Sequence, residues 1–137
     1  MSQHAFLNQI RISFGDCDPA GIVFYPNYYR WFDATCHAWF RTAGGHEALC
    51  RTLGAIGIGL VDSGAAFRSP ASDGDLLDLA LDVEEWRNKT VRLRYVGRIG
   101  ERIAVEGFEI RALLMRDGNR LRAGEMTPLR AIMDGSY

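Results

Sequence analysis

The order of apolar patterns along the chain predicts an α+β fold, an antiparallel sheet of five or six strands wrapped around a long central helix. Three observations carry that reading. One strongly helical stretch runs from about Pro26 to Ala43, and its apolar face is too wide for a surface helix, because Trp31 and Ala38 extend it. After residue 54 the pattern is strand-like alternation joined by short turns. No strand–helix alternation follows, which excludes a parallel α/β sheet. With 137 residues, no internal repeat and no linker, residues 1–137 are expected to form one domain.

The elements follow in order. Residues 6–14 alternate, with Phe6, Ile10, Ile12 and Phe14 on one side and Gln9, Arg11 and Ser13 on the other, leaving Asn8 as the exception. The turn-rich GDCDPAG segment comes next. In the helix, Tyr28, Phe32, Thr35/Cys36, Trp39/Phe40 and Ala43 mark one face, while Arg30, Asp33, His37 and Arg41 run down another; Gly44-Gly45 stops it. A short helix over 46–53 is closed by Gly54. Strands are expected over 56–68, from Leu77 to Glu84, from Val91 to Tyr95, over 102–116 and from Arg120 to Met126. The apolar phase of the fourth of these shifts near Gly107, which predicts a bulge there. Asp117-Gly118 is a hairpin signal. Pro128 is expected to end the last strand, leaving a peripheral tail.

Bulk properties exclude several function classes. No basic segment leads into an apolar run at the N-terminus, so no signal peptide is expected, and no stretch approaches ~18 apolar residues. Cys17, Cys36 and Cys50 are odd in number and widely spaced, which argues against disulfides or a zinc knuckle and for reduced thiols in the cytoplasm. His4, His37 and His46 are scattered, so no metal is expected. The net charge of −1 hides a split: residues 1–86 carry 5 basic and 11 acidic residues, and residues 87–122 carry 10 and 4. A local phosphate site is one reading of the basic segment, and solvated strand faces are the other. Nucleic acid is not expected, because stacking aromatics are not regularly interleaved with the basic residues.

Chemistry concentrates in Gly15–Tyr29. Pro19 keeps Asp18 out of the helical region, Gly21 permits a sharp reversal, and Ile22-Val23-Phe24 enter apolar surroundings. An acid beside a dry pocket is a stronger base. Pro26 suits the first helical position, which makes Tyr25 the N-cap. Tyrosine has no short side-chain oxygen for the first N–H groups, and free donors there suit an oxyanion. Lined by Phe24, Tyr25 and Trp31, such a site fits acyl transfer from an apolar carbonyl compound. The competing reading is that Asp16 and Asp18 cap a turn and Asn27 is the N-cap.

The stretch FGDCDPAGIVFYPNYYRWFD resembles the signature of the 4-hydroxybenzoyl-CoA thioesterase family of hotdog-fold proteins. Glu85-Trp86-Arg87-Asn88-Lys89-Thr90 resembles the family's strand–turn segment, and Asp117–Ala123 its last hairpin. The resemblance implies a hotdog-fold hydrolase that cleaves an aromatic acyl-CoA to the free acid and CoA. By the same resemblance Asp18 is the nucleophile or general base, and the Tyr25 backbone N–H is the oxyanion donor. Asp16 is structural on this reading. Phe24, Trp31 and Asp33 are candidates for the acyl pocket, although Asp33 is equally placed for an ion pair with Arg30 or His37. Arg87, Lys89, Arg120 and Arg122 are candidates for CoA phosphates, each with a solvated strand face as the alternative. His37 and His46 are read as surface residues, Cys17 as facing away from its flanking aspartates, and Ser63 as strand structure.

The commoner subgroup sharing D-x-D-x-x-G carries a histidine where this chain has Phe24-Tyr25-Pro26, which favours aryl-CoA substrates. Asn88 and Thr90 soften the basic turn of the relatives. No cofactor is expected, since CoA is part of the substrate. Edge strands and an incompletely covered helix predict a homodimer or homotetramer with a shared site. The rival functions are an aliphatic acyl-CoA thioesterase and a non-catalytic acyl-CoA-binding protein.

Overall fold

In the computed structural model, which describes residues 3–135, the sequence pattern folds around one helix. The strands are β1 (Phe6–Arg11), β2 (Gly57–Phe67), β3 (Leu76–Trp86), β4 (Val91–Ile99), β5 (Arg102–Asp117) and β6 (Arg120–Ala123). The helices are α1 (Pro26–Arg41), α2 (His46–Leu53) and α3 (Thr127–Met133). The sheet is antiparallel throughout, in the order β1-β3-β4-β5-β2, with β6 paired to the far end of β5.

The wide apolar face of α1 explains how the sheet closes over it. Tyr28, Trp31, Phe32, Thr35, Cys36, Trp39 and Phe40 are all buried. They meet Leu77, Leu79 and Leu81 of β3, Leu93 and Tyr95 of β4, and Val105 of β5 in one core. Burial of a side chain such as Phe32 contributes about 1.5–3 kcal/mol. Phe32 stacks on Tyr95 with ring centroids 4.7 Å apart. Asn8, the one polar residue among the inward positions of β1, donates from Nδ2 to Thr35 Oγ1 at 3.1 Å, so an inward polar group is satisfied on the helix.

Several features differ from expectation. Strand β1 stops at Arg11: Ile12 is pinned by hydrogen bonds with Asp75 and Gly74 and is buried. The chain then enters a 3-10 turn over Phe14–Asp16 that leaves Phe14 81% exposed. The expected bulge at Gly107 is absent. The β4–β5 register instead slips between Gly97 and Arg98, where β5 carries Ala104 as the extra residue. Gly107 is needed for another reason: a Cβ there would overlap the Phe32 ring. The apolar phase of the sequence shifts because the inner face of β5 carries Gly107, Glu109 and Arg111, while Phe108 and Ile110 lie on the outer face. Finally, β6 ends at Ala123, and Pro128 stands in the first turn of α3, where a missing N–H is harmless. Met126 and Leu129 are 1% exposed, so this segment belongs to the core and is not peripheral.

The charge split resolves on the outer face of the sheet. Asp78 lies opposite Arg98, and Asp82 opposite Arg94. Arg92 pairs with Glu84 and covers the Phe108 ring. Three arginines of the basic segment, Arg92, Arg94 and Arg98, thus face acidic residues of β3 across the strands.

Candidate active site

The loop from Phe14 to Tyr25 is fixed by backbone bonds before its side chains are considered. Phe24 N–H donates to Asp16 O at 2.9 Å, and Asn27 Nδ2 donates to the same oxygen at 2.8 Å. Val23 N–H donates to Ala71 O at 2.9 Å, tying the loop to the segment after β2. Asp16 accepts from Ser13 N–H at 2.9 Å and lies 3.6 Å from Arg30. Its carboxylate is occupied in holding the loop.

Asp18 is arranged differently. Its N–H donates to Ile22 O, and its carbonyl accepts from Gly21 N–H, both at 2.9 Å. Gly21 closes this turn at φ +81°, where a side chain would be strained. Oδ1 accepts from Ala20 N–H at 2.9 Å, while Oδ2 has no partner among the described residues. Asp18 therefore does shape a turn, with one oxygen, and keeps the other free.

The helix start supplies the complementary group. Pro26 is the first residue of α1 and has no N–H; Tyr25 is the N-cap, not Asn27. Asn27 N–H donates to Phe24 O at 2.9 Å and Tyr28 N–H to Tyr25 O at 3.1 Å. The Tyr25 N–H has no acceptor among the described residues, at the positive end of a 16-residue helix.

Asp18 and Tyr25 line one cleft of about 530 Å³, with Tyr28, Phe67 and Arg68 among its other walls. Phe67 lies 6.0 Å from the Tyr25 ring and 5.6 Å from the Tyr28 ring, centroid to centroid, giving an aromatic wall. Burial holds the Tyr28 phenol above its ordinary value, despite the nearby Arg102. The wall residues Tyr28, Phe67 and Arg68 escaped the sequence reading. The only signal for the last two was the end of an apolar strand before Ser69-Pro70.

The other predicted residues lie elsewhere in this chain. Phe24 is half exposed and meets only the edge of Tyr25. Trp31 is buried in the core against Tyr28. Asp33 is held by Arg111 at 2.7 Å and lies 3.6 Å from His37, not beside Arg30. His46 is not a surface residue: Nε2 accepts from Ile58 N–H at 3.0 Å and pins α2 to β2. Ser63 bonds Phe108 O and serves the strand.

Arg87, Lys89, Arg120 and Arg122 gather at one end of the sheet, where Met126 N–H donates to Asn88 O. Arg87 pairs with Glu85 at 2.9 Å and Arg122 with Asp117 at 3.8 Å. The cleft adjoins the opposite end of β3, whose 11 residues span roughly 33 Å. Among the described residues no cluster of His, Cys, Asp and Glu is built to hold a metal ion, and no helix is long and apolar enough to cross a membrane.

The thioesterase superfamily matches residues 20–106. A 4-hydroxybenzoyl-CoA thioesterase from Pseudomonas sp. (strain CBS-3) is 40% identical over 125 residues, covering 86% of this chain and 89% of that protein. The solved structure of that enzyme superposes with a TM-score of 0.80 at 36% identity, over 93% of this chain and 96% of its own. A gentisyl-coenzyme A thioesterase gives 0.74 at 28% identity, over 87% and 94%.

Proposed function

This chain belongs to the thioesterase superfamily and, within it, to the hotdog-fold 4-hydroxybenzoyl-CoA thioesterase family, and we propose that it hydrolyses an aromatic acyl-CoA to the free acid and CoA. The observation that carries the proposal is the pairing, in one cleft, of a free Asp18 oxygen with a free N–H on Tyr25. Asp18 Oδ2 either attacks the thioester carbon or takes a proton from a water that does so. In both routes negative charge develops on the carbonyl oxygen, and we assign the free Tyr25 N–H to receive it. Such a donor is worth roughly 3–4 kcal/mol in the transition state. The C–S bond then breaks and the sulfur leaves as the CoA thiol after protonation; in the general-base route the acyl carbon already carries the oxygen of water, and in the nucleophilic route water cleaves the Asp18–acyl anhydride, releasing the acid and restoring the carboxylate.

The rings of Tyr25, Tyr28 and Phe67 favour a planar aryl group over an aliphatic chain. The reaction draws on carboxylate and backbone groups alone, so we assign no metal or cofactor. Residues 1–137 are read as one domain and the three free cysteines as fitting a reducing cytoplasm.

The working unit that we propose is a homodimer or higher even assembly. Strand β2 is an edge of 11 residues with Leu60 and Val61 more than half exposed, and pairing it with a second copy would cover it. Antiparallel pairing brings the far end of one sheet toward the cleft of the other. Arg87, Lys89, Arg120 and Arg122 of a partner copy would then serve the CoA phosphates, and its Asp33 the acyl ring.

Asp18→Asn tests the chemistry, with release of free thiol from 4-hydroxybenzoyl-CoA as the readout. A loss of about 10²-fold or more in kcat is expected. Near wild-type turnover by the variant overturns the assignment. Preference for hexanoyl-CoA over benzoyl esters in the unmodified protein would replace the aryl reading, and tight binding without turnover would make the protein a binder.

A further inference from the structure

We infer that Arg68 is the residue with which the cleft grips an anionic oxygen pair on its bound thioester. The inference rests on the thioesterase reading of this cleft and adds a ligand contact to it.

Arg68 follows β2, and its N–H donates to Ala104 O at 2.8 Å, so the base of the side chain is fixed. Nε donates to Glu106 Oε2 at 3.0 Å, while neither terminal nitrogen has a partner among the described residues. The guanidinium is thus anchored on one edge and presents the other. Glu106 is shared: Arg94 reaches its Oε1 at 3.4 Å. One carboxylate between two guanidiniums leaves a surplus positive charge beside the cleft. Arg68 is the one cation among the residues lining the cleft, and Asp18 is its one carboxylate. Two parallel N–H groups in a fixed plane match the paired oxygens of a phosphate or carboxylate. The four cations at the other end of the sheet lie far from the same chain's cleft. Arg102, the other cation near this wall, spends its guanidinium on Ser69 Oγ, Pro70 O and Asp75, so Arg68 is the contact that each chain supplies to its own bound thioester. The anion has two sources, a CoA phosphate or an ionised substituent on the acyl ring.

Arg68→Met keeps length and removes charge, and Arg68→Lys keeps charge but loses the fork. Each is compared with the unmodified protein on the CoA and pantetheine thioesters of benzoate and of a carboxybenzoate, whose ring carries a second, free carboxylate. A rise in KM of about ten- to hundredfold for both CoA esters of Arg68→Met, with kcat and both pantetheine esters unchanged, supports the inference and identifies a phosphate. The same loss on both carboxybenzoyl esters, with both benzoyl esters unaffected, supports it and identifies the ring. Changes within about twofold on all four esters, or equal losses on all four, overturn it. Arg68→Lys is expected to fall between. If the unmodified protein turns over none of the esters, the proposed function fails. The contact is then read by equilibrium binding of CoA and of a carboxybenzoyl ester of pantetheine. About tenfold weaker binding of either by Arg68→Met upholds it, and unchanged binding of both overturns it.

Discussion

Arg111 holds Glu109 and Asp33 at once, binding a carboxylate on its own strand and another on the central helix. Nη2 donates to Asp33 Oδ1 at 2.7 Å, and Nε donates to Glu109 Oε1 at 3.0 Å. Glu109 is 2% exposed and also accepts from Tyr95 Oη at 2.6 Å. Two buried charges are tolerable because each lies against the other and both are hydrogen-bonded. Burial pushes the Tyr95 phenol up, with Cys36 and Glu109 adding to it, so it stays a donor. Removing only the cation strands the glutamate. Arg111→Met is expected to cost about 3–5 kcal/mol in urea unfolding. Arg111→Met with Glu109→Leu should recover much of that loss. A double variant no more stable than the single one would show that the pair is not the source of the cost.

Gly107 lets α1 approach the sheet. A methyl group there meets the edge of Phe32, whose face is already stacked on Tyr95, the residue opposite Gly107 on β4. Gly107→Ala should destabilise by about 1–3 kcal/mol, and Phe32→Leu in the same chain should relieve part of it. Thermal melts of the three variants decide this. An additive loss in the double variant would mean that the two residues are not in conflict.

The same two residues show what a linear pattern reveals. The helix was legible because its apolar face repeats at 3.6 residues, and the hairpins because turn residues separate alternating runs. Gly107, Glu109 and Arg111 break the apolar phase of β5, and no local rule tells a bulge from a buried ion pair whose partners are a helix and another strand. Pro128 reads as a terminator until the packing of Met126 and Leu129 shows that a helix begins there. In the site, Asp18 and Tyr25 were legible because a turn, a proline and a helix start lie within eight residues of one another in sequence. Phe67 and Arg68 were not, since the fold brings them from across the sheet. Trp31 was assigned to the cleft from proximity in sequence, whereas helical phase turns it to the core.

His37 gives a pH dependence with a definite sign. Burial lowers its pKa, more than Asp33 raises it, with Arg111 and His46 adding to the lowering. The unfolded chain therefore binds a proton at a pH where the folded chain does not. Full stability is present above the ordinary histidine value of about 6.5 and is lost as pH falls below it, down to the lowered folded value. The stability difference between pH 7.5 and pH 5.5 should shrink in His37→Gln, measured by urea unfolding at both. An unchanged difference would place the acid sensitivity in other groups.

The oxyanion assignment is testable although the donor is a backbone group. Tyr25 has φ −55°, a value that proline adopts without strain, so Tyr25→Pro removes the N–H at a compatible position. The ring is removed too, and Tyr25→Ala controls for it. Because ψ is −33° and Pro26 follows, the proline variant also carries some steric cost, which a melting curve reports separately. If the N–H stabilises the developing oxyanion, Tyr25→Pro lowers kcat by about 10²–10³-fold relative to Tyr25→Ala, with little change in KM. The split matters: a lost ring contact weakens ground state and transition state alike and appears in KM, whereas a lost oxyanion donor appears in kcat. Equal kcat for the two folded variants would remove Tyr25 from the chemistry and leave Asp18 to work with a donor elsewhere in the cleft.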